Sequence, residues 1–195
     1  MKVLALNASA RRDGNTAILL NAVLDELKKN GIETEMIQLG GKTLYGCRAC
    51  YRCFENLDRH CAVTSDMLND IIDKALLADG LLLGSPTYFS DVTANMRAFI
   101  ERCGMVGVAN HFMLKRKVGA GVVAVRRAGA IPALNAIHLF LHYMQMVMPG
   151  ASYWSLGMGM NAGDVLRDEE GLKTMQTLGQ NMAWLIKKVS IPEKR

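Results

Sequence analysis

The sequence predicts one doubly wound α/β domain with a five-stranded parallel sheet, in the order 2-1-3-4-5, and helices on both faces. Short apolar runs alternate with segments of helical periodicity along 195 residues, which is typical of parallel strands joined by crossover helices. Polar loops follow the first and third runs, where a doubly wound sheet binds its ligands. Five such units fit this order better than a six-stranded dinucleotide fold, and we expect a single domain over residues 1–195.

The predicted strands are short and mostly apolar. Residues 2–6 (KVLAL) and 80–84 (GLLLG) have the composition of buried central strands. Residues 32–39 (IETEMIQL) alternate enough to form a second strand. The complete set of predicted strands is residues 2–6, 32–39, 80–84, 117–125 and 152–156.

Helical spacing of apolar residues predicts the elements between the strands. In the first helix Leu19 and Val23 lie on one face, and Gly31 follows its end. Ser65 is a candidate N-cap of the second helix, and Pro132 falls in the first turn of the fourth. The predicted helices are residues 16–30, 65–78, 93–103, 132–147 and 169–189. Two remaining segments, 104–116 and 157–167, fit no element and are expected to form interface or lid loops.

Composition and charge exclude several classes of protein. The net charge is only +5 and the basic residues are scattered, whereas a nucleic-acid-binding protein usually has a concentrated basic face. No run approaches the roughly 18 apolar residues of a membrane span, and the first residues form a strand rather than a signal peptide. We therefore expect a cytoplasmic protein that binds neither nucleic acid nor a membrane.

A polar loop between the first strand and the first helix indicates a phosphate site. Residues 8–16 read ASARRDGNT. A helix N-terminus offers unpaired N–H groups and the positive end of the helix dipole. Ser9, Asn15 and Thr16 add neutral donors, and Arg11 or Arg12 adds charge. The loop contains neither G-x-G-x-x-G nor G-K-[ST], so it suits the single phosphate of a mononucleotide; the alternative is that Asn15 and Thr16 only cap the helix.

A second loop follows the third strand and is predicted to converge on the same crevice. Its candidate residues are Ser85, Pro86, Thr87, Tyr88 and Phe89. A rigid proline followed by free backbone N–H groups and two aromatic rings suits a flat heteroaromatic ligand, because the edge of such a ligand needs hydrogen bonds and its face needs stacking.

The cysteine loop, residues 40–64, is the most distinctive feature of the chain. Four of its residues have the spacing Cys47-x2-Cys50-x2-Cys53-x7-Cys61. Three thiols at two-residue gaps can surround one iron–sulfur cluster, and Cys61 is then the natural fourth ligand. A zinc ion and metal-free thiols are the alternatives that the spacing leaves open.

These motifs resemble those of a known family. S-x-R-x-x-G-N-T at residues 9–16 and G-S-P-T-Y-x-x-x-x-T-A-x-M-R-A-F-I-x-R at residues 84–102 are similar to the patterns of NAD(P)H-dependent FMN reductases and their flavodoxin-like relatives. The spacing of the cysteines resembles that of the iron–sulfur flavoproteins. The resemblance covers nearly the whole chain.

The resemblance implies FMN, with its phosphate on Ser9, Arg11, Asn15 and Thr16 and its ring near residues 85–89. A third flavin-side loop is expected after the fourth strand, where Arg126 and Arg127 contact either the solvent or the ligands. The resemblance also implies a [4Fe–4S] cluster on the four cysteines, NAD(P)H as a co-substrate, and a homodimer or homotetramer.

The resulting expectation is an FMN-dependent oxidoreductase of the iron–sulfur flavoprotein type. It would transfer electrons between NAD(P)H or a ferredoxin-like donor, the cluster and FMN, and it would need no catalytic side chain because FMN carries the chemistry. A small-molecule acceptor, a ferredoxin-like protein or both are the expected partners. The alternatives are a cluster-free NAD(P)H:quinone or flavin reductase and a non-enzymatic FMN electron carrier.

Overall fold

The computed structural model describes residues 1–189, and in this part of the chain five parallel strands form one sheet in the order β2-β1-β3-β4-β5. The predicted fold class and strand order are confirmed. The strands are β1 (Lys2–Asn7), β2 (Glu33–Gln38), β3 (Gly80–Pro86), β4 (Val118–Val125) and β5 (Leu156–Met158).

Helices cover both faces of the sheet. The helices are α1 (Asn15–Lys29), α2 (Arg52–Asn56), α3 (Leu68–Leu77), α4 (Ala94–Ala109), α5 (Ala130–Tyr143) and α6 (Glu169–Val189), with a short 3-10 helix at Asp164–Arg167. Successive side chains of a strand point to opposite faces, so Leu4 and Leu6 pack with α3, α4 and α5, while Val3 and Ala5 pack with α1 and α6. Of the helices within residues 1–189, none is long and apolar enough to cross a membrane.

The predicted end of the third long helix was wrong. The helix was predicted to end at residue 103, with residues 104–116 outside any element, but α4 continues to Ala109. A Cβ atom on Gly107 would lie 2.8 Å from the sulfur of Met144. The glycine therefore permits close packing between α4 and the end of α5, rather than ending the helix.

The fifth strand was also misplaced, because it lies at Leu156–Met158 and not at residues 152–156. The backbone N–H of Leu156 donates to the carbonyl of Trp154 at 2.7 Å, which turns the chain just before the strand. Tyr153 and Trp154 have high strand propensity, yet both are exposed. The five-residue helix α2, inside the cysteine loop, was not predicted at all.

Parallel order brings the carboxyl ends of β1, β3 and β4 to one edge of the sheet. The N–H of Ala8 donates to the carbonyl of Gly84 at 2.9 Å, which ties the start of the loop after β1 to β3 near the end of that strand. A Cβ atom on Gly40 would lie 2.0 Å from the carbonyl oxygen of Ser9. The start of the cysteine loop therefore passes directly against the loop after β1.

Candidate functional site

A cavity of about 180 Å³ lies at the carboxyl ends of the central strands. It brings together most of the residues predicted to bind a mononucleotide, from three different loops. The predicted residues that line it are Ser9, Arg11, Asn15, Thr16, Pro86, Thr87, Tyr88 and Arg126.

The head of α1 forms one wall of this cavity. Gly14 occupies the N-cap position, and no side chain of residues 1–189 caps the helix. Asn15 instead bonds to the opposite wall, since its Nδ2 donates to the carbonyl of Asn161 and its Oδ1 accepts from the N–H of Gly163, both at 2.9 Å. Thr16 Oγ1 is buried and has no hydrogen-bond partner within residues 1–189. The helix dipole and this hydroxyl therefore remain available to an anion.

The loop after β1 is held by hydrogen bonds of its own. Asn7 Nδ2 donates to the carbonyl of Arg12 at 3.1 Å, and Gln38 Nε2 donates to the carbonyl of Ser9 at 2.6 Å. Ser9 Oγ accepts from the N–H of Arg11 at 3.2 Å. The Arg11 guanidinium lies exposed at the rim and donates to the carbonyl of Met160 at 3.2 Å. The loop is thus shaped before any ligand binds, with a cation at its mouth.

The loop after β3 differs from the sequence expectation of free backbone donors. The N–H of Thr87 donates to the carbonyl of Ala124 at 2.8 Å, and Tyr88 and Asp91 exchange backbone hydrogen bonds at 2.9 and 3.0 Å. Two of the expected donors are therefore engaged within the protein. The Thr87 hydroxyl is instead available, because Thr87 Oγ1 is buried and has no partner among the described residues.

Three predicted residues do not line the cavity. Ser85 is buried, and its hydroxyl donates to the carbonyl of Pro86 and accepts from the N–H of Thr93, so it supports the start of α4. Phe89, with a φ of 49°, lies fully exposed at the tip of the turn. Arg127 is exposed and lies outside the cavity.

Sequence reasoning missed the wall that follows β5. Gly159 and Met160 line the cavity, in a segment that was expected to be irregular. A Cβ atom on Gly159 would lie 2.6 Å from the side-chain nitrogen of Asn15, so the close approach of this wall requires glycine. The repeated glycines at 157, 159 and 163 were the available signal.

The four cysteines of the cysteine loop line a second, smaller cavity of about 20 Å³. All four are free thiols; Cys47 and Cys50 are exposed, Cys61 is half-buried and Cys53 is buried. Burial raises the pKa of Cys53. Four thiols around one cavity are the donor set that an iron–sulfur cluster uses, although within residues 1–189 no three His, Cys, Asp or Glu side chains are placed to hold a metal ion.

Cys103 stands apart from these four residues. It is fully buried in α4 within the apolar cluster formed with α3 and α5. Burial raises the pKa of its thiol to about 12. Cys103 therefore packs as a small apolar side chain.

A third cavity, of about 400 Å³, lies beside β4 and is lined by residues such as Gly121, His138 and Trp154. Burial lowers the pKa of His138, which favours its neutral form. None of the residues predicted from the sequence as site residues lines this cavity. It is therefore separate from both candidate sites.

Known proteins resemble the chain over almost its entire length. It is 34% identical to an iron–sulfur flavoprotein of Methanocaldococcus jannaschii over 96% of this chain and 98% of that protein. It is 27% identical to an iron–sulfur flavoprotein of Methanosarcina thermophila over 93% of each chain. A flavodoxin-type, WrbA-like protein of Agrobacterium tumefaciens shares the fold, with a TM-score of 0.66 at 12% identity over 97% of this chain and 98% of that one.

The family model for NADPH-dependent FMN reductases matches residues 1–161. This match spans the loops after β1, β3 and β4, the cysteine loop and both walls of the mononucleotide cavity. The chain therefore belongs to the NADPH-dependent FMN reductase family and is an FMN-dependent oxidoreductase.

Proposed function

We propose that the protein is an oxidoreductase of the iron–sulfur flavoprotein type, which transfers electrons between NAD(P)H or a ferredoxin-like donor, a [4Fe–4S] cluster and FMN. One observation supports the FMN site most directly. In the described part of the chain, two buried side-chain polar atoms have no hydrogen-bond partner, and they are the hydroxyls of Thr16 and Thr87. Both residues line the same cavity.

A buried hydroxyl without a partner costs about 1–3 kcal/mol, so two such groups in one cavity point to a ligand that satisfies them. Thr16 and the head of α1 bind the phosphate, and Arg11 adds a charge-assisted contact at the rim. Thr87 donates to or accepts from the edge of the ring, and Tyr88 packs against the ring. FMN supplies both hydride transfer and single-electron transfer when bound.

The cluster is proposed for the four cysteines that line the second cavity. The thiols lie on a loop whose backbone coils tightly, with positive φ at Ala49, Tyr51 and Leu57. A [4Fe–4S] cluster would supply one-electron transfer at this site. Relatives of similar length that are named iron–sulfur flavoproteins support this assignment.

Partners and assembly complete the proposal. Arg126 at the rim of the mononucleotide cavity is exposed and offers a cation to a phosphate of NAD(P)H, while its exposed neighbour Arg127, outside the cavity, adds a second positive charge nearby. A small-molecule acceptor reaches the same opening, and a ferredoxin-like protein docks beside Cys47 and Cys50, which are exposed. We propose a cytoplasmic homodimer or homotetramer.

Anaerobic purification tests the proposal. We expect a flavin spectrum overlaid by broad absorbance that bleaches in air, together with four iron and four sulfide ions per chain, as a [4Fe–4S] cluster requires. Stopped-flow mixing with NADH and NADPH should bleach the flavin with at least one nucleotide. A chain that stays iron-free after anaerobic reconstitution would exclude the cluster, and a flavin that neither nucleotide reduces would exclude the reductase.

A cluster-free NAD(P)H:quinone or flavin reductase is the second candidate. It is favoured by one observation, that no three ligand side chains among residues 1–189 are placed to hold a metal ion. The same iron and sulfide determination separates the two candidates, because the FMN site is common to both.

A further inference from the structure

Helix α4 contacts the cysteine loop near both ends of the loop. Glu101 Oε2 accepts from the backbone N–H of Cys47 at 3.1 Å. Arg102 Nε, from the next residue of the helix, donates to the sulfur of Cys61 at 3.3 Å. Arg102 is the last residue of the second sequence motif, and the FMN site does not use it.

The Arg102 side chain is fully buried, and its donors point in several fixed directions. One terminal nitrogen donates to the carbonyl of Tyr45 and pairs with Asp66, and the other donates to the carbonyl of Val63 at 2.9 Å. Tyr45 precedes the first cysteine and Val63 follows the last. The planar guanidinium therefore joins the two ends of the cysteine loop, and its Nε–H points at the sulfur of Cys61.

We propose that Arg102 is the positioning residue that holds Cys61 as the fourth ligand of the cluster and that sets the cluster's reduction potential through its hydrogen bond to the sulfur. This inference rests on the cluster of the proposed function. A hydrogen bond to a ligand sulfur withdraws electron density from the cluster and favours its reduced state. Asp66 neutralises the charge of Arg102, so the hydrogen bond is the main influence of this side chain on the cluster.

The first test compares two conservative substitutions on one helix. Arg102→Lys retains a positive charge beside Asp66. It loses the planar guanidinium, whose several N–H groups contact the Cys61 sulfur and the two backbone carbonyls at the same time. Arg97→Lys is the matched control, because Arg97 pairs with Asp91 and makes no contact with a cysteine. Each variant is purified anaerobically as the holoprotein and titrated electrochemically, with the reduced cluster followed by electron paramagnetic resonance.

We expect Arg102→Lys to move the midpoint potential of the cluster to a more negative value and to release iron to a ferrous chelator several-fold faster. Arg97→Lys should change neither quantity. FMN content should stay the same in both variants, which excludes general unfolding. Iron lost from an Arg102→Lys chain that retains FMN would support the positioning role.

Asp66→Asn provides an independent second variant. It leaves the Arg102 cation without its counter-charge, so the potential should move in the opposite direction, to a more positive value. A purely structural role for the pair would lower iron content in both variants without opposite shifts of potential.

The outcomes distinguish this inference from the proposed function. Wild-type protein that takes up no iron would overturn the cluster and this inference with it. Wild-type protein that holds a cluster, whose potential and iron release are unchanged by Arg102→Lys, would overturn only the inference. Equal shifts in Arg102→Lys and Arg97→Lys would also overturn it.

Discussion

The mononucleotide cavity and the cysteine loop are built in opposite ways. The cavity lies at the ends of buried strands, and Ser9, Thr16 and Asn15 in its wall are at most 9% exposed. The cysteine loop lies outside the sheet, and Cys47 and Cys50 are exposed in it. The fold itself shapes the mononucleotide cavity, whereas the cysteine loop is a coiled segment that hydrogen bonds near its ends attach to the rest of the domain.

The two sites therefore differ in what holds them in their conformation. The backbone around the cavity is already hydrogen-bonded, so FMN binds to a preformed structure. Little conformational entropy of the protein is then lost on binding. The cysteine loop is instead held by side chains of two helices, Arg102 of α4 and Asn69 of α3, and Asn69 exchanges two hydrogen bonds of 2.9 Å with the backbone of Cys61. A bound cluster would add cross-links among the four thiols. The two sites should therefore respond independently to mutation.

The largest expected effect comes from removing one ligand of the loop. Cys50→Ser should abolish the cluster completely and leave FMN bound, because Cys50 does not line the mononucleotide cavity. Iron, sulfide and flavin determinations on anaerobically purified protein measure both outcomes. Cys103→Ala is the control, since Cys103 lies in the core and its loss should leave iron content unchanged. Loss of flavin in Cys50→Ser would show that the two sites are coupled.

Arg11→Ala should produce the next largest effect, confined to the mononucleotide cavity. The guanidinium lies at the mouth of the cavity, and a hydrogen bond to a charged group contributes about 1.5–3 kcal/mol. FMN should therefore bind roughly ten- to a hundredfold more weakly, as measured by fluorescence titration of the flavin-free protein. Unchanged affinity would show that Arg11 faces the solvent when FMN is bound. Iron content should not change.

Thr16→Val should weaken FMN binding but stabilise the flavin-free protein, so it distinguishes the contribution of the hydroxyl to the ligand from its contribution to the empty cavity. Valine has nearly the same shape but no hydroxyl, so FMN binding should weaken by about 1 kcal/mol. The flavin-free protein should unfold at a higher denaturant concentration, since an unsatisfied buried hydroxyl is removed. A loss of stability in the flavin-free protein would mean that Thr16 has a partner in solution.

The same contrast explains what could be predicted from the sequence. The sheet order and the phosphate loop follow from local signals, since an apolar run ending in small polar residues forms the same strand and loop in many contexts. The role of Arg102 could not be predicted, because its partners Tyr45 and Asp66 lie 57 and 36 residues away. A charged residue inside an apolar helical pattern gives no indication of which distant loop it will anchor.

Local propensity also failed where packing overrides it. Two aromatic residues, Tyr153 and Trp154, favour a strand, but the chain turns there and both remain exposed. Residues 157–167 were expected to be irregular, whereas Gly159 within this segment permits the wall after β5 to approach Asn15. Such close approaches depend on the positions of both segments and cannot be inferred from either one alone.

The smallest expected effect tests whether an exposed contact contributes to the rigidity of the cavity. Asp91 ends the turn after β3, and the hydrogen bond from Arg97 is the main cause that lowers its pKa. Because the folded pKa lies below the ordinary value, the stabilisation is present above about pH 4 and is lost as the pH falls through the folded pKa.

Both side chains of this pair are partly exposed, 40% for Arg97 and 49% for Asp91, so solvent screening limits its contribution to about 0.5 kcal/mol. Asp91→Asn should lower the free energy of unfolding by that amount at pH 7, and by progressively less as the pH falls below about 4 through the folded pKa. Denaturant unfolding of Asp91→Asn, Arg97→Gln and the double variant isolates the pair in a double-mutant cycle. A coupling free energy above about 2 kcal/mol between Asp91 and Arg97 would show that the turn depends on this ion pair. The mononucleotide cavity would then depend on a surface contact, as the cysteine loop depends on its contacts with α4.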